Sequence, residues 1–169
     1  MSLKLRITLA GVLVSSVAFS GSAAAAPIEQ LQPMAFLAGH CWKGDFPDGK
    51  QTDEHCFEWV YDRKFIRDRH VVRNGKAPYA GETLYGWDAK AKRLAFWYFN
   101  SEGDVIIGTV EYRPDSIVFP TRYETDKGPV ELRATWTRTG PDSYRVAQSQ
   151  RAGEAWKPLW AMVLKRKQK

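Results

Sequence analysis

From residue 40 onward the chain is built of short stretches in which apolar and polar residues alternate, the period of a strand with one buried face. Val130, Leu132, Ala134 and Trp136 interleave with Glu131, Arg133, Thr135 and Thr137, and Trp156, Trp160, Met162 and Leu164 stand against Lys157 and Lys165. Turn-forming clusters punctuate the pattern, among them Pro47-Asp48-Gly49-Lys50, Asp62-Arg63-Lys64, Asn74-Gly75-Lys76 and Gly140-Pro141-Asp142. They predict strands over residues 40–46, 51–61, 65–73, 79–87, 93–100, 104–112, 116–124, 129–138, 143–151 and 155–166. These stretches carry no sustained helical period, which disfavours parallel βαβ folds. A long antiparallel meander hides its edges by closing on itself. The expected fold is therefore all-β, a closed antiparallel up-and-down β-barrel of about ten strands, with a sandwich as the alternative. A short segment bearing Ile28, Leu31 and Met34 precedes it.

The first residues follow another logic. Lys4 and Arg6 precede an apolar run from Ile7 to Phe19, then Ser20, Gly21, Ser22 and Ala23 to Ala26, the order of a secretory signal peptide. The run is shorter than the ~20 residues a membrane span requires. Residues 1–25 are expected to be the signal and 26–169 a single domain, periplasmic or secreted, with no cysteine at the cleavage region for a lipid anchor. Loss of Lys4 and Arg6 lowers the formal charge from +6 to +4. The remaining Lys and Arg are scattered among acids, apart from a basic C-terminal end, so no nucleic-acid partner is expected.

The segment Phe36-Leu37-Ala38-Gly39-His40-Cys41-Trp42-Lys43-Gly44 resembles the Gly-x-Trp first strand of lipocalin-like (calycin) barrels, and in particular the start of nitrobindin-like domains. Tyr79-Ala80-Gly81-Glu82-Thr83-Leu84-Tyr85-Gly86-Trp87-Asp88, with Arg93 to Trp97 and Ser101-Glu102-Gly103, is similar to a hairpin of exported lipocalin-like domains. The likeness covers most of residues 36–112 and implies a ten-stranded barrel with an internal cavity. Two residues, not one, separate Gly39 from Trp42, which implies a bulge or a shifted Trp at the barrel floor. Nitrobindin-like proteins hold haem through a histidine near the end of the chain, whereas this chain has His40, His55 and His70. The haem role is not carried over, and no cofactor is expected.

Cys41 and Cys56 flank a hairpin turn. A two- or four-residue loop there sets Cys41 opposite Cys56, and in an oxidising compartment they would form a disulfide. A three-residue loop would send the thiols to opposite faces. His40-Cys41 and His55-Cys56 look like a four-ligand set, but neighbours on a strand point to opposite faces, so no metal is expected from them. In Arg67-Asp68-Arg69-His70, Asp68 and His70 share one face and the arginines the other. An Asp beside a His suits general-base chemistry, though no nucleophile signature accompanies it.

Glu82 and Arg122 are the expected polar anchors of a cavity lined by aromatics, with Trp97, Tyr98, Trp136 and Trp160 as ligand-binding residues. The function expected from the residues and the resemblance is binding of a small, partly apolar molecule in the barrel. One alternative is a non-catalytic envelope protein with a filled barrel that acts through a protein partner. Another is a cofactor-free enzyme using His70 with Asp68 or Glu82.

Overall fold

A computed structural model describes residues 28–75, 77–126 and 128–168. The signal-like residues lie outside that range. In it, alternating stretches become β1 (His40–Asp45), β2 (Thr52–Val60), β3 (Phe65–Arg73), β4 (Tyr79–Asp88), β5 (Arg93–Asn100), β6 (Val105–Thr109), β7 (Glu111–Arg113), β8 (Ser116–Thr125), β9 (Gly128–Gly140), β10 (Ser143–Ala152) and β11 (Ala155–Arg166). All are antiparallel in one eleven-stranded sheet of order β6-β5-β4-β3-β2-β1-β11-β10-β9-β8-β7, curled into a nearly closed barrel.

The count differs from ten because the stretch 104–112 changes partners midway. Its first half, β6, pairs with β5, and its second half, β7, pairs with β8. Between them Val110 is buried and donates its N–H to the Leu94 carbonyl at 3.0 Å. The β7–β8 ladder ends at Glu111 and Val118, just short of Pro120, which has no N–H to continue it. At this seam Gly108 lies so close to Pro120 that an added Cβ would meet its carbonyl oxygen at 2.9 Å.

The β1–β2 hairpin has the four-residue loop. Phe46 donates its N–H to the Gln51 carbonyl at 2.9 Å, and Gly49 takes the left-handed φ of +67°. That register sets Cys41 against Cys56, and the two are bonded. Their neighbours Trp42 and Phe57 point inward and are buried, so the disulfide lies on the outer face.

One end of the barrel is sealed. A 3-10 helix, Glu29–Met34, buries Leu31 and Met34 against the strands, and Leu37 follows them into the core. Gly39, at φ +83°, turns the chain into β1 and donates its N–H to the Phe57 carbonyl at 2.7 Å. Trp42 is thereby placed fully buried at this floor, its indole N–H donating to the Leu37 carbonyl at 3.2 Å. Tyr144 and Phe36 meet its ring edge-on, at 5.3 Å and 6.0 Å between centroids. In β11 a bulge opposite Gln148 and Ser149 inserts Leu159 and reverses the inside–outside phase. Trp160 keeps the inner face, while Trp156, expected on the same face, emerges outside under Arg133 and Arg151.

Candidate functional site

Above the sealed floor the barrel holds a cavity of about 600 Å³. Phe96, Phe119, Trp136, Val146, Trp160 and Met162 make most of its wall apolar. The polar part is concentrated on β2 to β5, where the period of two delivers Asp53 and His55 from one strand and Asp68 and His70 from the next. The β2–β3 register sets His55 directly opposite His70, and their rings stack 4.8 Å apart.

The partners are crosswise. His55 Nδ1 donates to Asp68 Oδ2 at 2.9 Å, and its Nε2 donates to Asp53 Oδ2 at 3.1 Å. With a carboxylate at each ring nitrogen, His55 is satisfied as an imidazolium. Burial pulls its pKa down, but the Asp68 charge and the hydrogen bonds of Asp53 and Asp68 outweigh it and push the value up to about 10. Burial likewise raises Asp53, and the hydrogen bonds from His55 and His70 overcome it, holding this carboxyl well below the usual carboxylate range.

His70 Nδ1 donates to the other Asp53 oxygen at 3.1 Å, and its Nε2 accepts from the Tyr98 hydroxyl at 3.1 Å. Tyr98 is bonded in turn to the Tyr79 hydroxyl, which accepts from Asn100 Nδ2 at 3.2 Å. These tautomers are the ones that satisfy the network. Gly81, opposite His70 in the β3–β4 register, makes room for it: a Cβ there would lie 2.5 Å from His70 Nε2 and 2.6 Å from Tyr98 Oη. Asp53 and Asp68 are almost fully buried, whereas each histidine shows 12% of its side chain.

Tyr98, Trp136 and Trp160 line the cavity. Glu82, Arg122 and Trp97 do not, and the reason is strand parity. Glu82 adjoins Thr83, which is buried toward the interior, so its carboxylate faces outward beside the Arg69 position. Arg122 follows the cavity-lining Thr121; it is 60% exposed and pairs with Glu131 at 3.1 Å. Trp97 lies between Phe96 and Tyr98, both on the cavity wall, and turns outward toward Phe65. Asp68 and His70 do share the inner face, but the carboxylate on His70 belongs to Asp53. Asp53 and His55 were missed. The signal that points to them is the repeat Asp-x-His on consecutive strands, Asp53-Glu54-His55 and Asp68-Arg69-His70.

Fold and site together define a nearly closed antiparallel barrel whose apolar cavity carries one polar, ionised wall. Among solved structures the chain is similar to the crystal structure of Rv2717c from M. tuberculosis, with a TM-score of 0.53 and 13% identity over 85% of this chain and 100% of that one. At that identity the likeness concerns the fold. No family model and no curated protein matches the sequence.

Proposed function

We propose that this chain is an exported, lipocalin-like binding protein that holds a small, largely apolar molecule in the barrel, with a polar end of that molecule against the His55, His70 and Tyr98 wall. The observation that carries the reading is the cavity of about 600 Å³, apolar except on that one wall. Ligand pockets typically span about 300–1,000 Å³, with a few placed polar groups fixing orientation. An unfilled interior favours this reading over a barrel acting only through its surface. Export is supported by the signal-like order of residues 1–25 and by the Cys41–Cys56 disulfide, which suits an oxidising compartment.

The test is titration with N-phenyl-1-naphthylamine, a neutral apolar fluorophore, followed by its emission and by quenching of tryptophan. Saturable one-to-one binding to the wild type, abolished in a folded Ala134→Phe variant that fills the cavity, is the expected result. Absence of saturable binding, or equal binding by Ala134→Phe, overturns the reading. Intact mass of protein recovered from the cell envelope checks export, and retention of Met1 there refutes it.

A further inference from the structure

We infer that His55, His70 and Asp53 form a binding site for one divalent first-row transition-metal ion, open to the barrel cavity. The site goes beyond ligand binding by the apolar walls and stands or falls separately from it.

Geometry is the first support. A nitrogen of His55, a nitrogen of His70 and a carboxylate oxygen of Asp53 all lie within 4.8 Å of one another. Asp53 spans the pair, with one oxygen 3.1 Å from His55 Nε2 and the other 3.1 Å from His70 Nδ1. Ligand bonds of ~2.0–2.2 Å, as a zinc-type ion makes with imidazole and carboxylate, put neighbouring donor atoms about 3 Å apart. Both imidazole–carboxylate separations are therefore ones a coordination sphere uses, and a nitrogen of each ring lies within 4.8 Å of a nitrogen of the other.

The second support is the surroundings of each ligand. A metal-bound histidine almost always has its other ring nitrogen held by a carboxylate, a carbonyl or water, which fixes the ring and raises its basicity. Here the nitrogen of His55 that faces away from Asp53 is held by the buried Asp68 at 2.9 Å. The corresponding nitrogen of His70 is held by Tyr98 at 3.1 Å. His55 Nε2 and His70 Nδ1 are left as the ligating atoms, on side chains that both line the cavity.

The third is that the ligating atoms can give up their protons. On binding, the proton on His55 Nε2 passes to solvent and the ion takes its place. The proton on His70 Nδ1 moves to Nε2, where Tyr98 turns from donor to acceptor. The donor set, two imidazoles and a carboxylate without thiolate, selects ions such as Zn²⁺, Co²⁺ or Fe²⁺ over Ca²⁺ and Mg²⁺, which favour all-oxygen sites. Cys41 and Cys56 are spent in the disulfide and do not compete.

The experiment uses the full folded protein, stripped with chelator and titrated with Co²⁺ and then Zn²⁺ alone. One Co²⁺ per chain with visible d–d absorption, displaced by Zn²⁺, is expected. His55→Ala and His70→Ala are expected to weaken binding by at least about 100-fold, and Tyr98→Phe, outside the ligand set, by about 10-fold. Because the alanine variants remove buried groups, the imidazole ¹⁵N shifts of wild-type protein serve as a second readout: Zn²⁺ must move those of His55 and His70 and leave those of His40. No uptake by the folded wild type at millimolar metal, shifts confined to His40, or undiminished affinity in folded His70→Ala overturns the proposal. None of these readings depends on whether N-phenyl-1-naphthylamine binds.

Discussion

His55 and His70 face each other across β2 and β3 and share a single carboxylate, Asp53, one on each of its oxygens. The arrangement ties two strands together inside the barrel through an ionised cluster, in which His55 is the cation shared by the Asp53 and Asp68 carboxylates.

Asp68→Asn removes the carboxylate from His55 Nδ1 while conserving volume. Asp53 still compensates the imidazolium at Nε2, so the loss is that of a hydrogen bond to a charged group, about 1.5–3 kcal/mol. Urea unfolding of Asp68→Asn should show a loss of this order. A loss within experimental error of zero would mean that the cluster does not hold β2 to β3.

The pH dependence has a definite sign. The folded pKa of His55, about 10, lies above its ordinary 6.5, so folding favours the protonated ring. In chelator-stripped protein the stabilisation from His55 is fully present below pH 6.5 and is lost as the pH rises through about 10. Imidazole ¹⁵N and ¹³C shifts should report a protonated His55 at pH 8. A ring that titrates near 6.5 contradicts the assignment.

Gly81→Ala places a methyl on the His70–Tyr98 hydrogen bond. Over-packing of this kind costs about 1–3 kcal/mol. Denaturant midpoints should fall accordingly, and the ring-nitrogen shift of His70 should change with its lost partner. An unchanged His70 signal would show that Gly81 is not needed for that contact.

Glu82→Ala and Arg122→Ala should leave N-phenyl-1-naphthylamine affinity within about twofold of wild type, since a surface substitution usually changes energies by no more than about 0.5 kcal/mol. Both side chains stand on the outer face. A larger loss in either folded variant would place it in the ligand path after all.

Replacing Cys41 and Cys56 together by alanine opens a cross-link spanning a separation of 15 residues. The chain-entropy model gives a loss of about 3 kcal/mol for such a loop. Calorimetry against the oxidised wild type measures it. An unchanged midpoint would show that the outer-face bridge adds nothing to stability.

Much of this protein was legible along the chain itself. Alternation in 129–138 and the punctuation by Pro47-Asp48-Gly49-Lys50 or Gly140-Pro141-Asp142 are local properties, set by side-chain polarity and turn conformation, and they suffice for strands, turns and an all-β barrel. The Cys41–Cys56 pairing was legible only as conditional on a loop of two or four residues, and the four-residue loop of the structure met that condition. What lies beyond local pattern is phase and partnership. Period two says that Glu82 and Thr83 face opposite ways, but only packing chose Thr83 for the interior, and the same holds for Trp97 between Phe96 and Tyr98. A single inserted residue, Leu159, reversed the face of Trp156, and Pro120, lacking an N–H, split one strand between two partners. The crosswise bonds of His55 to Asp68 and of His70 to Asp53 arise because the strand register brings His55 against His70, a relation between residues 15 apart that no local spacing encodes.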